Sequence, residues 1–350
     1  MSPLPANAWI CPRCGYIHYG PEPPDECPIC GTEKDFFEPY TEAAAALAVS
    51  ASQPSAKAIK VVVVGAGIAG VTAAEAVHKT DPGAETWLIS NEPDLPYYRL
   101  NMTRYLAGEV DGAQLDLHPE SWYAGNNIHL MRNTALAAID QGSKEVTLTD
   151  GSRLSYDKLI LTTGSHPFVP PFSGTGRKYV TTLRTRQDAD FILEAYRERG
   201  NCACIGGGLL GLETAGALVR QGGRVTVLEN QAWLLPRQLN QAAGRLLHEH
   251  IKAAGICVHY QARTRELAGN GAVSGVIFED GSQLPAELVI ISAGIRSNAG
   301  LARGAGLAVN QGILVDNQLK TAHADIYAAG DAAEHLGVVY SIWTPSQLQG

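Results

Sequence analysis

The chain has 350 residues, enough for two or three domains, and its 45% hydrophobic content predicts a full apolar core. Its net charge of −8 argues against nucleic acid as a partner. No run of about 18 apolar residues occurs and the N-terminus lacks the pattern of a signal peptide, so we expect no membrane association. We therefore predict a cytoplasmic protein whose seven cysteines are thiols or metal ligands rather than disulfides.

Residues 1–41 contain two C-x-x-C-G knuckles, one formed by Cys11 and Cys14 and the other by Cys27 and Cys30. Each knuckle directs two sulfurs at one point, so the pair predicts a tetrahedral four-thiolate site for zinc or iron. About 40 residues cannot bury enough apolar surface to fold alone. We therefore expect the metal to be part of the core of this module.

The run from residue 9 to 40 resembles the short rubredoxin-like module of rubrerythrins, in which 12 residues separate the knuckles. The resemblance rests on Tyr16, Pro28 and the pair Phe36 and Phe37. It implies a single iron that cycles by one electron, with a structural zinc ribbon as the alternative. Two basic and six acidic residues give the module a net charge of −4. That charge predicts electrostatic docking on a basic surface, unless it serves only solubility.

Residues 42–58 are rich in Ala and Ser and include Pro54, a composition typical of a tether. A flexible tether of about 17 residues spans roughly 20–25 Å. It would let the module visit another site on the same chain at an effective concentration of about millimolar.

The stretch KVVVVGAGIAG, residues 60–70, predicts a first nucleotide-binding site. Its valine run is typical of a strand buried on both faces of a parallel sheet. Gly65, Gly67 and Gly70 follow in G-x-G-x-x-G spacing, which combines a tight turn, room for a pyrophosphate and close packing of the next helix. We predict that helix from about Ile68 to Lys79.

Three further features of this half suit a bound cofactor. Glu92 follows the strand TWLIS, where a carboxylate is expected to hold a ribose hydroxyl. The Tyr-rich run around Arg99 suits a segment that covers an aromatic cofactor. Thr163 and Gly164 end a strand with small residues, which let the backbone pass close to a ligand.

A second fingerprint, Gly206, Gly208 and Gly211, follows the strand CACI and precedes a helix predicted from about Leu210 to Gln221. Glu229 ends the next strand, 18 positions after Gly211. A carboxylate there binds the 2′-hydroxyl of NAD and repels the 2′-phosphate of NADP, so we predict NADH rather than NADPH. Two fingerprints imply two dinucleotides, and the one bound besides NADH is most simply FAD.

Asp331 follows the strand DIYAAG near the C-terminus of the sequence. It is either the N-cap of a helix that opens at Ala332 and Ala333 or a carboxylate that holds a polyol hydroxyl. In the second case the N-terminus of that helix would face a pyrophosphate.

The order of GAGIAG, TTGS, GGGLLG, AGIRSN and IYAAGDAAE over residues 60–350 resembles the two-dinucleotide FAD/NAD(P)H reductases. Within them it looks most like NADH:rubredoxin reductases and the flavin-entry half of assimilatory nitrite reductases. The resemblance implies an α/β fold with two Rossmann-like dinucleotide-binding domains behind the metal module. The expected domains are a rubredoxin-like module at 1–41, a linker at 42–58, an FAD-binding domain at 59–170 and 291–350, and an NAD(H)-binding domain at 171–290.

The resemblance also implies a role for each candidate residue. FAD would be bound by Gly65, Gly67, Gly70, Glu92, Arg99, Thr163, Gly164 and Asp331. NADH would be bound by Gly206, Gly208, Gly211 and Glu229. Glu213 would lie at the junction of nicotinamide and flavin, as the catalytic residue. Trp343 would lie near the isoalloxazine edge, unless it only packs.

The sequence departs from these relatives in three respects. Arg104 stands where they often have Lys. Asn101 and Met102 stand where the disulfide-reducing branches place a redox Cys, so we reject thiol chemistry and interpret Cys202, Cys204 and Cys257 as small core residues. Relatives continue into a further domain past the position of Gly350, so we expect a truncated chain or one that lacks that domain.

The predicted function is electron transfer from NADH through FAD to the rubredoxin-type iron and on to an external acceptor. That acceptor would be a rubredoxin, a flavodiiron protein or a peroxide-reducing protein. One alternative makes the N-terminal module a zinc-stabilised docking domain without a redox role. The other makes the chain the flavin-entry half of a nitrite-reductase-like enzyme.

Overall fold

A computed structural model of the chain describes residues 8–11, 17–27, 32–40 and 58–350. The predicted tether and the thiols of Cys14 and Cys30 lie outside the described residues. The described residues pack into two units. The first unit contains the described residues up to Leu100 together with 117–164 and 298–350, and the second contains 101–116 and 165–297.

The N-terminal module belongs to the first unit and is built on a small antiparallel sheet. The strand Ala8–Ile10 lies in the middle and pairs with Ile17–Tyr19 on one side and Glu38–Tyr40 on the other. A 3₁₀ turn at Lys34–Phe36 precedes the last strand. Cys11 follows the central strand directly, so the sheet fixes where the first knuckle begins.

The rest of the first unit is organised around a parallel sheet. Its five strands lie in the order Ile326–Ala328, Lys158–Leu161, Lys60–Val64, Glu85–Ile89 and Ile128–Met131. Its α-helices are Ile68–Thr80, Glu120–Gly125, Gly300–Gly304 and Trp343–Gln349. Its smaller strands are Leu136–Asp140, Glu145–Leu148 and Arg153–Ser155, which form an antiparallel sheet, and the parallel pair Ile313–Val315 and Ala333–His335.

The valine run lies at the centre of this sheet and is buried on both faces, as the sequence predicted. Val62 and Val64 face one hydrophobic cluster, and Val61 and Val63 face another that includes helix Ile68–Thr80. The strand therefore holds the following glycine loop between two packed layers, because both of its faces are covered.

The second unit repeats this arrangement. Its parallel strands lie in the order Val180–Thr181, Leu288–Ile291, Asn201–Ile205, Arg224–Glu229 and Ile256–Tyr260. Its α-helices are Met102–Leu106, Arg186–Arg199, Leu209–Arg220 and Gln241–Ala253, with a 3₁₀ turn at Ala113–Leu115. Its smaller strands are Thr264–Ala268, Gly275–Phe278 and Gln283–Pro285, which form an antiparallel sheet, and the antiparallel pair Ser165–Pro167 and Ile295–Ser297.

The two parallel sheets with their helices confirm the predicted α/β class. The helices that follow the two glycine loops, Ile68–Thr80 and Leu209–Arg220, lie within a residue of the predicted bounds. Within the described ranges, no helix combines the length and the apolar character that crossing a membrane requires.

The expectation of a helix that opens at Ala332 and Ala333 was wrong. Gly330–Ala332 forms a single 3₁₀ turn, and the chain then enters the strand Ala333–His335. This strand pairs in parallel with Ile313–Val315. The pairing partner lies far along the sequence, so the local alanine-rich pattern gave no sign of it.

The interpretation of the three C-terminal cysteines holds for two of them. Cys202 and Cys204 are buried in the strand Asn201–Ile205, whereas Cys257 is exposed. Cys257 belongs to Ile256–Tyr260, an edge strand of its sheet. Alternate residues of such a strand face outward, and Cys257 is one of them.

Candidate functional site

The first glycine loop has the shape that a dinucleotide pyrophosphate needs. Gly65 has a φ of +107°, and a Cβ there would overlap the carbonyl oxygen of Thr162. A Cβ at Gly70 would overlap the carbonyl oxygen of Gly65, so the helix packs directly on the turn. A Cβ at Gly67, by contrast, would meet no atom within 4 Å. The space above Gly67 is open, at the N-terminus of helix Ile68–Thr80, and fits a phosphate group.

Thr162 and Thr163 brace this loop from the neighbouring strand. The Thr162 hydroxyl is buried and donates a hydrogen bond of 2.8 Å to the carbonyl of Gly65. The Thr163 hydroxyl donates to the carbonyl of Asn298 at 2.7 Å, and the Asn298 amide donates back to the carbonyl of Thr163 at 2.8 Å. Gly164 follows with a φ of +68°. The predicted close-approach residues Thr163 and Gly164 thus form a turn that is held on both sides.

Glu92 and Arg99 meet in one cluster with Tyr97. Arg99 donates to Glu92 at 2.6 Å and to the Tyr97 hydroxyl at 2.8 Å, and that hydroxyl donates to the other Glu92 oxygen at 2.5 Å. Burial alone would lower the pKa of the Arg99 guanidinium, but the Tyr97 and Glu92 oxygens outweigh it and raise that pKa. The Glu92 carboxylate is therefore neutralised by a permanent cation, and its remaining lone pairs can still accept from a ribose hydroxyl.

Asp331 lies in a turn that packs on the first glycine helix. Gly330 has a φ of +72°, and a Cβ there would lie 2.9 Å from the Cβ of Ala69. The Gly330 N–H donates to the side-chain oxygen of Gln349 at 2.8 Å. The turn is thus fixed between helix Ile68–Thr80 and the C-terminal helix. Asp331, which is partly buried, therefore lies on the same edge of the unit as the first glycine loop.

The second glycine loop repeats the geometry of the first. Gly206 has a φ of +118°, and a Cβ there would overlap the carbonyl oxygen of Ser292. A Cβ at Gly211 would overlap the carbonyl oxygen of Gly206, and a Cβ at Gly208 would meet no atom within 4 Å. The chain therefore contains two loops of the same design, each with open space over its middle glycine.

Glu229 is 7% exposed and directed at the second loop. Its carboxylate accepts a hydrogen bond of 2.9 Å from the backbone N–H of Gly207 and one of 2.6 Å from that of Gln231. Within the described residues, no lysine, arginine or histidine lies within ion-pair distance of this carboxylate. The predicted ribose-binding carboxylate thus lies next to the loop that it would serve, with its charge uncompensated by a side chain.

Glu213 lies in helix Leu209–Arg220, one turn after the second loop. Its side chain is exposed and accepts a hydrogen bond of 3.2 Å from the Thr103 hydroxyl. Thr103 belongs to the short helix Met102–Leu106, which packs with this unit. The side chain of Glu213, the predicted catalytic residue, is therefore accessible, and one of its two carboxylate oxygens is held by Thr103.

The N-terminal module brings two of the four predicted metal ligands into one cluster. Cys11 and Cys27 are fully buried with Phe37, and Trp9 and Tyr98 pack against them. Each C-x-x-C pair contributes one of these two thiols, so the two pairs approach each other as a shared four-thiolate site would need. The backbone N–H of Cys27 donates to the carbonyl of Thr32 at 2.7 Å. Thiolate ligands in a shielded pocket fit zinc or iron.

Several residues that support these sites escaped the sequence analysis. They are Tyr97, Tyr98, Asn298 and Gln349, and each holds a predicted site residue or the metal cluster through one of the contacts described above. The two tyrosines carried a local signal, since the sequence around Arg99 is rich in tyrosine. Asn298 and Gln349 act through contacts with residues far away in the sequence.

Comparison with known proteins identifies both parts of the chain. The sequence profile described as "Pyridine nucleotide-disulphide oxidoreductase" matches residues 59–350, and that described as "Rubrerythrin, rubredoxin-like domain" matches residues 9–38. These matches confirm the predicted pair of an α/β dinucleotide-binding fold and a rubredoxin-like module.

Individual relatives agree with this assignment. The chain is 38% identical over 288 residues to the nitrite reductase [NAD(P)H] of Bacillus subtilis, which covers 82% of this chain but 36% of that protein. It is 35% identical over 275 residues to the rubredoxin-NAD(+) reductase of Pseudomonas putida, which covers 78% of this chain and 71% of that protein. The crystal structure of NADH:rubredoxin oxidoreductase from Clostridium acetobutylicum superposes with a TM-score of 0.71 at 27% identity, over 84% of this chain and 73% of that one. The chain thus spans little more than a third of the nitrite reductase.

Proposed function

Because this chain belongs to the pyridine nucleotide-disulphide oxidoreductase family and carries a rubredoxin-like domain ahead of it, we propose that it oxidises NADH and reduces the metal centre of its own N-terminal module. The observation that carries the proposal is the pair of glycine loops, each open over its middle glycine, in the same chain as a buried thiol cluster. When bound, NADH supplies a hydride, FAD accepts it and releases single electrons, and a four-thiolate iron carries one electron at a time.

The first unit would hold FAD. Its open loop at Gly65, Gly67 and Gly70 would bind the pyrophosphate through backbone N–H groups. Glu92 would accept from the adenosine ribose, and its ion pair with Arg99 holds that carboxylate in place. Further contacts would come from Thr163, Gly164 and Asp331. The braces on these residues support the proposal, because a cofactor site requires groups that are fixed before the ligand arrives.

The second unit would hold NADH. Gly206, Gly208 and Gly211 would bind its pyrophosphate, and Glu229 would accept from the 2′-hydroxyl of its adenosine ribose. The uncompensated charge of Glu229 disfavours the 2′-phosphate of NADPH. Glu213, which is accessible one turn further along the helix, would orient the nicotinamide.

The metal would be held by Cys11, Cys14, Cys27 and Cys30. The match to a rubredoxin-like domain supports iron, and zinc is the alternative. The proposed domains are the metal module at 1–41, the linker at 42–58, the FAD-binding domain at 59–170 and 291–350, and the NADH-binding domain at 171–290. The relatives named for rubredoxin support a rubredoxin as the external redox acceptor, with a flavodiiron protein or a peroxide-reducing protein as the alternatives.

A second candidate function is electron entry to a nitrite reductase. The 38% identity to the Bacillus subtilis enzyme favours it, since the chain aligns with only 36% of that protein. In that case the reducing equivalents would leave the flavin for a catalytic domain rather than for the module. A separate alternative makes the module a zinc-stabilised docking domain without a redox role.

One experiment on the purified chain separates these possibilities. Flavin and metal are quantified on the same sample, and the protein is then mixed anaerobically with NADH while the visible spectrum is recorded. The proposal expects one FAD and one iron per chain and bleaching of the thiolate–iron absorption after the flavin band. Zinc in place of iron, or iron that keeps its colour while the flavin is reduced, would refute reduction of the module.

A further inference from the structure

Two neighbouring tyrosines serve different sites. Tyr97 is 5% exposed, and its hydroxyl bonds to Glu92 and accepts from Arg99. Tyr98 instead packs against the cluster of Cys11, Cys27 and Phe37. Tyr97 therefore bonds within the candidate FAD site, and Tyr98 next to it packs on the metal module.

Tyr98 is also held by the C-terminal helix of the first unit. Its ring stacks on Trp343, with ring centroids 5.6 Å apart and an interplanar angle of 27°. Trp343 begins the C-terminal helix, which packs on helix Ile68–Thr80. Offset stacking at this distance is favourable and directional, so it fixes the face that Tyr98 presents to the module.

We propose that Tyr98 is the docking residue that seats the N-terminal module, by the side that carries Cys11 and Cys27, on the unit that would hold FAD in the same chain. The reason for docking, delivery of electrons to the metal, rests on the proposed function. The contacts of Tyr98 with the module do not depend on it. The module is too small to complete an apolar core from its own residues. An aromatic ring from outside that packs on its thiol cluster therefore closes that core and fixes the module in place.

The described contacts at this docking site, which we call the seat, are aromatic. The side chains that meet there are Tyr98, Trp9 and Phe37, and the indole N–H of Trp9 is buried without a hydrogen-bond partner. Arg99, the nearest cation in the sequence, is committed to Glu92. Aromatic contacts of this kind are little affected by ionic strength, so salt should not release the module.

The test uses the full-length holoprotein and three substitutions. Tyr98→Glu places a charge in the seat, and Tyr98→Phe keeps the ring and removes only the hydroxyl. Phe36→Glu is the matched control, because Phe36 is 62% exposed and lies outside the cluster next to the buried Phe37. Flavin and metal content per chain verify that each variant is folded.

Small-angle X-ray scattering reports docking directly. A module released on a tether of about 17 residues should extend the maximum dimension of the particle by about 20 Å. We expect this extension for Tyr98→Glu, and no extension for Tyr98→Phe, for Phe36→Glu or for the parent chain between 50 and 500 mM salt. The inference is overturned if Tyr98→Glu is as compact as the parent. It is also overturned if the Phe36→Glu control expands as much as Tyr98→Glu, or if salt releases the module of the parent chain.

The rate of metal reduction by NADH separates this inference from the proposed function. In the parent we expect a rate that does not depend on protein concentration, since donor and acceptor share a chain. In Tyr98→Glu we expect a rate at least about tenfold lower, because the module then samples the seat only at about millimolar effective concentration. If the metal is never reduced in any variant while scattering shows release by Tyr98→Glu alone, the proposed function fails and the seat stands.

Discussion

The open space over Gly208 predicts a variant that loses NADH without losing its fold. A Cβ at Gly208 meets no atom within 4 Å, so Gly208→Ala should cost the fold only its slightly poorer N-cap, below about 1 kcal/mol. The same methyl group fills the space where a pyrophosphate would lie. Loss of one backbone hydrogen bond to a charged phosphate, at about 1.5–3 kcal/mol, should raise the KM for NADH about 10- to 100-fold.

Gly206→Ala provides the contrast. Gly206 has a φ of +118°, and its Cβ would overlap the carbonyl oxygen of Ser292. The strained backbone alone costs about 1–3 kcal/mol, so this variant should be destabilised before any ligand is considered. Gly216→Ala is the control, since Gly216 lies inside helix Leu209–Arg220 with no atom near its Cβ, and should stabilise by about 0.5–1 kcal/mol.

The assay combines steady-state oxidation of NADH by an artificial acceptor with thermal unfolding of the same preparations. We expect only Gly208→Ala to combine a raised KM with a nearly unchanged midpoint of unfolding. The reasoning is refuted if Gly208→Ala changes the KM by less than about threefold, or if it lowers the unfolding midpoint as much as Gly206→Ala does.

Three further predictions follow from other sites. Glu229→Gln removes the buried charge and should lower the preference for NADH over NADPH by about tenfold, as the ratio of kcat/KM values would show; an unchanged ratio would contradict this role. Asp325 pairs with Lys144 and Lys158, each at 2.6 Å, which lowers its pKa to about 2. The stabilising effect of the ionised Asp325 should be complete above the ordinary pKa of an aspartate and should disappear as the pH falls through about 2. At pH 7 the urea midpoint of Asp325→Asn should therefore lie below that of the parent, and near pH 2 the two midpoints should converge. Cys11→Ser should abolish metal binding but leave the flavin content unchanged, which metal analysis and the visible spectrum would check; full metal retention would exclude Cys11 as a ligand.

The sequence was sufficient where the controlling interactions are local. Each glycine fingerprint is a contiguous strand, turn and helix. The steric contacts that require Gly65 and Gly206 arise within this motif or with the end of the adjacent strand. The bounds of both helices could therefore be predicted closely. The carboxylates Glu92 and Glu229 could be found from their spacing for the same reason.

The sequence was insufficient where a distant segment decides. Ala333 enters a strand because Ile313–Val315 offers a parallel partner, and Cys257 is exposed because its strand lies at a sheet edge. Tyr98 packs against Cys11 and Cys27, which lie far earlier in the sequence. Neither composition nor periodicity records such pairings, since they depend on how completed elements pack.

The two nucleotide loops share their backbone design but differ in electrostatics. Glu92 is compensated by Arg99 at 2.6 Å, whereas Glu229 accepts only from backbone N–H groups and is more deeply buried. A field from a buried, uncompensated charge is little screened by salt. The second loop should therefore discriminate strongly against an additional phosphate, and the first should not. If the proposed assignment of FAD to the first unit and NADH to the second is right, the same fingerprint serves a retained cofactor in one unit and a substrate selected by charge in the other.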